Sequence, residues 1–318
     1  MIFAKVVSVF FLVLLGFFCN RIGWLPIETS KYISKIVVNV AAPCVILGSF
    51  SQQNIGGEDT RIVLLLFGVG IIQYFFAFLI SIPTATLLSK EKEDRGIYRN
   101  FFVMTNNAFM GFPITIAIFG QQGLFYMVIM NGLLTISLFS LGIYNTKLYR
   151  GGKSEKKDGA LAVIKRTINP PNVAVVVGLV VMFLQINLGE VIQGTLATIG
   201  GMMSPLAMMI VGVQLSQSKP RELFLNKRLI IMSALRLVVI PVIFLMFMLP
   251  FYFNGIFTGL FVGVLTLNLL LPPATLIVVF AEEYNSNTKL SAEGVFLATL
   301  LSMITLPIAS VVLNLTIV

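Results

Sequence analysis

The chain has 318 residues and no His, so its chemistry must come from other side chains. The polar residues that stand out are amides and prolines set inside apolar runs. Thr105-Asn106-Asn107-Ala108-Phe109-Met110-Gly111-Phe112-Pro113 interrupts one such run, and Asn268-Leu269-Leu270-Leu271-Pro272-Pro273 interrupts another. Proline removes a backbone donor and clashes with the carbonyl four residues back, so each stretch is a place where a helix breaks. A broken helix exposes free N–H and C=O groups, and an adjacent amide can both donate and accept. This chemistry is recognition without covalent bonds. Asn106, Asn107, Gly111, Pro113, Asn268, Pro272 and Pro273 are the candidate binding residues. Because half-helix N-termini carry partial positive charge, small anions fit them. The competing reading is that the prolines merely kink packed helices and the asparagines bond across a helix interface.

Other chemistries lack material. The two cysteines, Cys19 and Cys44, lie in apolar runs, and metal ligation, His-based acid–base work and a disulfide framework are not expected. No nucleophile and base occur together at depth, so an enzyme is not expected, nor is a cofactor. Gly151-Gly152-Lys153-Ser154 imitates the end of a phosphate-binding loop, but the first glycine of that pattern would fall on Lys147, and the segment follows an apolar run rather than a strand. All 13 acids lie in loops or at helix ends, which leaves no buried carboxylate relay. Glu282 and Glu283, at the end of the ninth run, are the candidates for a coupling role. Arg236 is the one base deep in a run, and three roles compete for it: a cation for a bound anion, a partner for a backbone carbonyl or half-helix C-terminus, and a side chain snorkelling to the membrane surface.

These residues need elements to hold them, and the composition says which. With 57% hydrophobic and 11% charged residues and a mean hydropathy of +0.96, the chain reads as an integral membrane protein. Apolar runs fall at about 3–19, 30–50, 61–88, 100–120, 122–146, 171–188, 191–215, 229–250, 255–281 and 291–316. Each is too long for a membrane strand and lacks barrel alternation, so the prediction is all-α, with ten transmembrane helices. With the loops assigned alternately to the two sides, 19 Lys and Arg fall on one side and 2 on the other, which predicts that both termini lie outside and that the basic loops are cytoplasmic. The net charge of +9 then faces anionic lipid, and nucleic acid is not expected as a partner. The longest polar stretch splits the helices five and five: residues 1–149 form a first repeat, 150–168 a cytoplasmic linker and 169–318 a second repeat. An odd number per half gives the halves opposite orientation. Prolines recur between halves, Pro43 with Pro205 and Pro113 with Pro272, at offsets of 162 and 159. The chain is thus expected to be a 5+5 inverted repeat. The interrupted stretches of predicted helices 4 and 9 sit about 11 residues, roughly 16 Å, from the cytoplasmic ends, near the middle of the membrane. Two interrupted helices at matching depth in such a repeat point to the substrate site of a transporter.

The motifs also resemble a known family. Asn106 with Gly111-Phe112-Pro113 resembles the broken fourth helix of the auxin efflux carrier family, and Asn169-Pro170-Pro171 is similar to the start of that family's second half. Phe280-Ala281-Glu282-Glu283-Tyr284-Asn285, eight residues after Pro272, resembles the end of its ninth helix, and Leu306-Pro307 follows in the tenth. The resemblance spans essentially the whole chain. It implies a scaffold of helices 1, 2, 6 and 7, through which a homodimer can form, and a moving transport domain of helices 3 to 5 and 8 to 10. It also implies that helices 4 and 9 cross at their broken points and hold a substrate carboxylate there, with Asn106, Pro113 and Pro272 carried over. The linker of about 20 residues is far shorter than in the plant members, so the chain resembles the bacterial ones, for which malate, malonate and other organic acids are the implied substrates. The expectation is a secondary transporter of small organic anions in the cell membrane, working by elevator-type alternating access without ATP. Its runner-up is a membrane sensor or receptor that keeps the transporter fold and signals through a partner.

Overall fold

The computed structural model describes residues 2–53, 57–89, 91–148, 168–217 and 223–317. Apart from Ile168, the predicted linker 150–168 lies outside the described residues. The helices are α1 Ile2–Arg21, α2 Ile27–Ser51, α3 Gly57–Leu88, α4 Lys92–Val103, α5 Asn107–Lys147 and α6 Pro170–Phe183, followed by α7 Gly189–Ser216, α8 Lys227–Phe253, α9 Gly259–Leu270, α10 Leu276–Glu283 and α11 Thr288–Ile317. Among the described residues the protein is all-helical except for one isolated antiparallel bridge. Six helical stretches are long and apolar enough to cross a membrane, and three shorter apolar helices accompany them. Large apolar side chains such as Phe11, Ile72, Phe75, Phe247 and Leu315 lie more than half exposed. In water such a surface would be untenable, whereas lipid tails accept it. The chain is a polytopic membrane protein.

Local sequence sets the helix ends. The Asn169 side chain accepts from the Asn172 N–H at 3.0 Å, and Pro170 and Pro171 occupy the first positions of α6, where a missing N–H is harmless. Thr258 caps α9 by accepting from the Phe261 N–H at 3.2 Å. α5 changes direction at Gly120, whose φ of 68° and ψ of −158° suit only glycine, so its first arm completes predicted helix 4 and its second arm is predicted helix 5. Predicted helix 9 is likewise divided, into α9 and α10.

One boundary needs correcting. The fourth run was expected to begin near 100, but α4 begins at Lys92, because Glu93 and Asp94 sit in a first turn where the helix dipole favours acids. Arg99, expected to mark the cytoplasmic end of the fourth run, is therefore inside α4. It is 3% exposed, with its guanidinium 4.7 Å from the centre of the Phe78 ring. Arg236 is thus not the sole buried base.

The packing keeps the broken helices together. α1 lies along α7, with Gly16 against the backbone of Met209 and Gly212 against that of Val13, and this close approach needs small residues on both helices. α2 packs on α6 and α7. α3 packs on α4 and α5, α9 lies between α5 and α8, and α11 runs along α8, α9 and α10.

Candidate functional site

The site is built where two helices stop. At Met104 the backbone turns extended (φ −96°, ψ 112°) just after α4, and at Leu271 it does the same (φ −66°, ψ 143°) just after α9. The two extended stretches meet antiparallel. Asn106 N–H donates to the Pro272 carbonyl at 2.9 Å and Ala274 N–H to the Met104 carbonyl at 3.0 Å, with Thr105 opposite Pro273. In this register neither Thr105 nor Pro273 needs its own N–H for the bridge, so the donor that Pro273 lacks is not missed. Pro272 and Pro273 stop α9, whereas α4 ends at Val103 without a proline and Pro113, expected to break that helix, lies inside α5; the bridge satisfies polar groups that would otherwise be stranded inside the protein.

Asn106 starts the next helix. Its side-chain oxygen accepts from the Phe109 N–H at 3.4 Å and its carbonyl accepts from Gly111 at 3.0 Å, so it caps α5, while its amide nitrogen makes no hydrogen bond among the described residues. Asn107–Gly111 is wound as a π-helix, in which Phe112 N–H reaches back to the Asn107 carbonyl. Gly111 lets the crossing close: a Cβ there would lie 2.8 Å from Cδ1 of Leu271. At the other half-helix start, Thr275 supplies no side-chain cap to α10.

Behind the bridge lies a buried polar cluster. The Asn268 amide donates to Oδ1 of Asn107 at 3.0 Å, and Thr105 donates to the same oxygen at 2.7 Å. Oδ1 of Asn268 accepts from Nε2 of Gln73 at 3.2 Å and from the Tyr74 hydroxyl at 3.4 Å. Gln73 also donates to the Leu265 carbonyl at 3.1 Å. These bonds join α3, α5 and α9. Sequence reasoning missed Gln73 and Tyr74; the one available signal was a Gln in the middle of the apolar run 61–88.

For Arg236 the structure supports the second of the three roles. Its Nη1 donates to the Leu269 carbonyl at 2.7 Å, in the last turn of α9, and the residue is 0% exposed, which rules out snorkelling. A guanidinium there offsets the negative C-terminal end of a half-helix. Its Nε and Nη2 are buried without partners among the described residues. Glu282 and Glu283, the last two residues of α10, are exposed.

Asn106, Asn107, Gly111, Asn268, Pro272 and Pro273 are therefore gathered at the crossing, whereas Pro113 faces elsewhere. It lines a cavity of about 270 Å³ between α2, the first arm of α5 and α7, together with Cys44, Ser49, Gln52, Gln193 and Ser204. No charged residue lines that cavity.

The comparisons with known proteins point to membrane transport. The chain is 28% identical over 322 residues to an uncharacterized transporter of Methanothermobacter thermautotrophicus, with 97% of each chain covered. It is 25% identical over 304 residues to the uncharacterized transporter MJ1031 of Methanocaldococcus jannaschii, with 94% of each covered. Residues 1–310 match the family described as membrane transport protein. The chain belongs to this family, the auxin efflux carriers.

Proposed function

We propose that this membrane transport protein is a secondary carrier of small organic anions, with carboxylates as the substrate class and the crossing as the binding site. The observation that carries the reading is the unequal treatment of the four helix ends. Around the negative ends the carbonyls are engaged, Met104 by the Ala274 N–H, Leu269 by Arg236 and Pro272 by the Asn106 N–H. At the positive ends, where α5 and α10 begin, the Asn106 oxygen caps α5 but its amide nitrogen makes no hydrogen bond among the described residues, and α10 has no side-chain cap, its Ile277 and Val278 N–H groups bonding the Ala274 and Thr275 carbonyls. A site whose negative ends are engaged, one of them by a cation, and whose positive ends keep a free amide donor favours an anion. A carboxylate fits because it accepts from backbone N–H and amide donors without needing a cation.

The proposed movement is an elevator. In this reading α1, α2, α6 and α7 form a scaffold, and α3, α4, α5 and α8 to α11 form the unit that carries the crossing through the membrane. The neutral cavity at Pro113 supports the division, because it opens between α2 and α7 on one side and α5 on the other. Orientation follows from the charge: the basic loops face the cytoplasm and both termini lie outside. Purified protein in liposomes preloaded with unlabelled dicarboxylate, monocarboxylate or aromatic acid should take up the matching labelled acid by counterflow, without ATP. Exchange of amines or neutral sugars, with no exchange of any acid, would contradict the reading.

A further inference from the structure

A second polar pocket lies away from the crossing, among the start of α4, the start of α8 and the start of α11. It has a volume of about 470 Å³ and is lined by Asp94, Tyr98, Lys227, Arg228, Lys289 and Glu293 among others. Two acids line it, Asp94, which accepts from the Asn287 amide at 2.9 Å, and Glu293, which faces Lys289 at 3.8 Å. The Asn287 oxygen accepts from the Leu290 N–H at 3.0 Å and so caps α11. The Asn226 oxygen accepts from the Leu229 N–H at 3.4 Å and caps α8.

Against these two acids the pocket sets three bases, Lys227, Arg228 and Lys289, and a phenol. Tyr98 lines the pocket, is 2% exposed, has its ring fixed edge-on to Phe101 at 5.9 Å, and its hydroxyl has no hydrogen-bond partner among the described residues. Lys227 and Arg228 make no ion pair among the described residues and occupy the first turn of α8, where the helix dipole opposes positive charge. A bound anion would reverse that penalty. A guanidinium, an ammonium and a phenol at a helix start form a donor set suited to a tetrahedral oxyanion.

We propose that this pocket binds a phosphate group, supplied either by an anionic phospholipid headgroup or by a soluble phosphate compound. The inference rests on this pocket alone and is independent of the carboxylate reading of the crossing. The pocket spans the starts of three helices, so an occupant would tie α4, α8 and α11 together at one end of the bundle.

Two measurements on the full chain separate the sources. In neutral detergent at fixed ionic strength, calorimetric titration with inorganic phosphate should show one saturable site. Arg228→Gln should weaken it at least tenfold, Tyr98→Phe at least threefold, and Glu293→Gln should tighten it. Tightening by Glu293→Gln cannot arise from misfolding, and unchanged unfolding midpoints would establish that the other two variants are folded. In nanodiscs, a higher unfolding midpoint in phosphatidylglycerol than in phosphatidylcholine that is lost in Arg228→Gln identifies a lipid headgroup. Phosphate binding without that lipid effect identifies a soluble ligand. The absence of both saturable phosphate binding and an Arg228-dependent lipid effect would overturn the proposal, as would wild-type phosphate affinity in both Arg228→Gln and Tyr98→Phe.

Discussion

Both ends of the Asn268 amide are bonded in the interior, to Asn107, Gln73 and Tyr74, so replacing it with Leu would remove one hydrogen bond from each of them. Each keeps a second partner, the Thr105 hydroxyl, the Leu265 carbonyl and the Met130 carbonyl respectively, so the expected cost is about 0.5–1.5 kcal/mol for each bond lost, read as a lower thermal midpoint in detergent. Arg236 makes a different prediction. Because it bonds the Leu269 carbonyl and is 0% exposed, Arg236→Gln should keep a donor near that carbonyl and change carboxylate affinity less than about threefold. A loss of affinity beyond tenfold, in a folded variant, would instead make Arg236 a ligand of the substrate. Substitution by Gln rather than Lys isolates the charge, since Lys keeps it on a different geometry.

Helix starts, stops and close approaches carry the next level of organisation. Gly212 packs against the backbone of Val13, and Gly16 against that of Met209, so neither helix can yield by a side-chain rotation alone. Gly212→Val should destabilise the α1–α7 pair by about 1–3 kcal/mol, whereas Gly201→Ala, with nothing near an added Cβ, should be close to neutral. Thermal unfolding of the two variants side by side checks this. The breaks, at 104–106 and 271–275, fall at the edges of the stretches Thr105 to Pro113 and Asn268 to Pro273, which were legible in the sequence because proline, glycine and asparagine act locally and stand out in apolar runs. The antiparallel bridge that joins them was not derivable from the residues, since it depends on a pairing across more than 160 positions. Gln73 was illegible for a related reason: one amide in a run of apolar residues has no spacing to read, and its meaning comes only from Asn268 across the interior. The start of α4 was misplaced because Lys92-Glu93-Asp94-Arg95 reads as a charged loop, although acids in a first turn are what a helix start favours.

The whole molecule is read as two bodies that slide past one another, and the cavity between them supplies a handle. Cys44 on α2 and Ile116 on α5 both line it. In an Ile116→Cys variant, a short bifunctional thiol reagent should join that cysteine to Cys44 and stop counterflow, and reduction or cleavage of the linker should restore it. Full transport with the crosslink in place would rule out movement of α5 against α2. Orientation has its own test. Single cysteines placed at the exposed positions 91–93 or in the 150–168 segment, in a background without Cys19 and Cys44, should react in intact cells only with membrane-permeant reagents. Labelling there by an impermeant reagent would reverse the assignment of sides that the charge distribution supports.

The central claim is that the crossing binds carboxylates at its half-helix starts, with the Asn106 amide nitrogen among the donors. The most direct measurement is equilibrium binding of labelled dicarboxylates, monocarboxylates and aromatic acids to purified protein and to its Asn106→Ala variant. Unfolding is followed in parallel, because the substitution also removes the cap on α5 and should cost about 0.5–2 kcal/mol of stability. At least one acid class is expected to bind the wild-type protein saturably and to lose about fivefold to a hundredfold in affinity in the folded variant. Equal binding by the two proteins, or wild-type protein that binds none of the acids, would contradict the account.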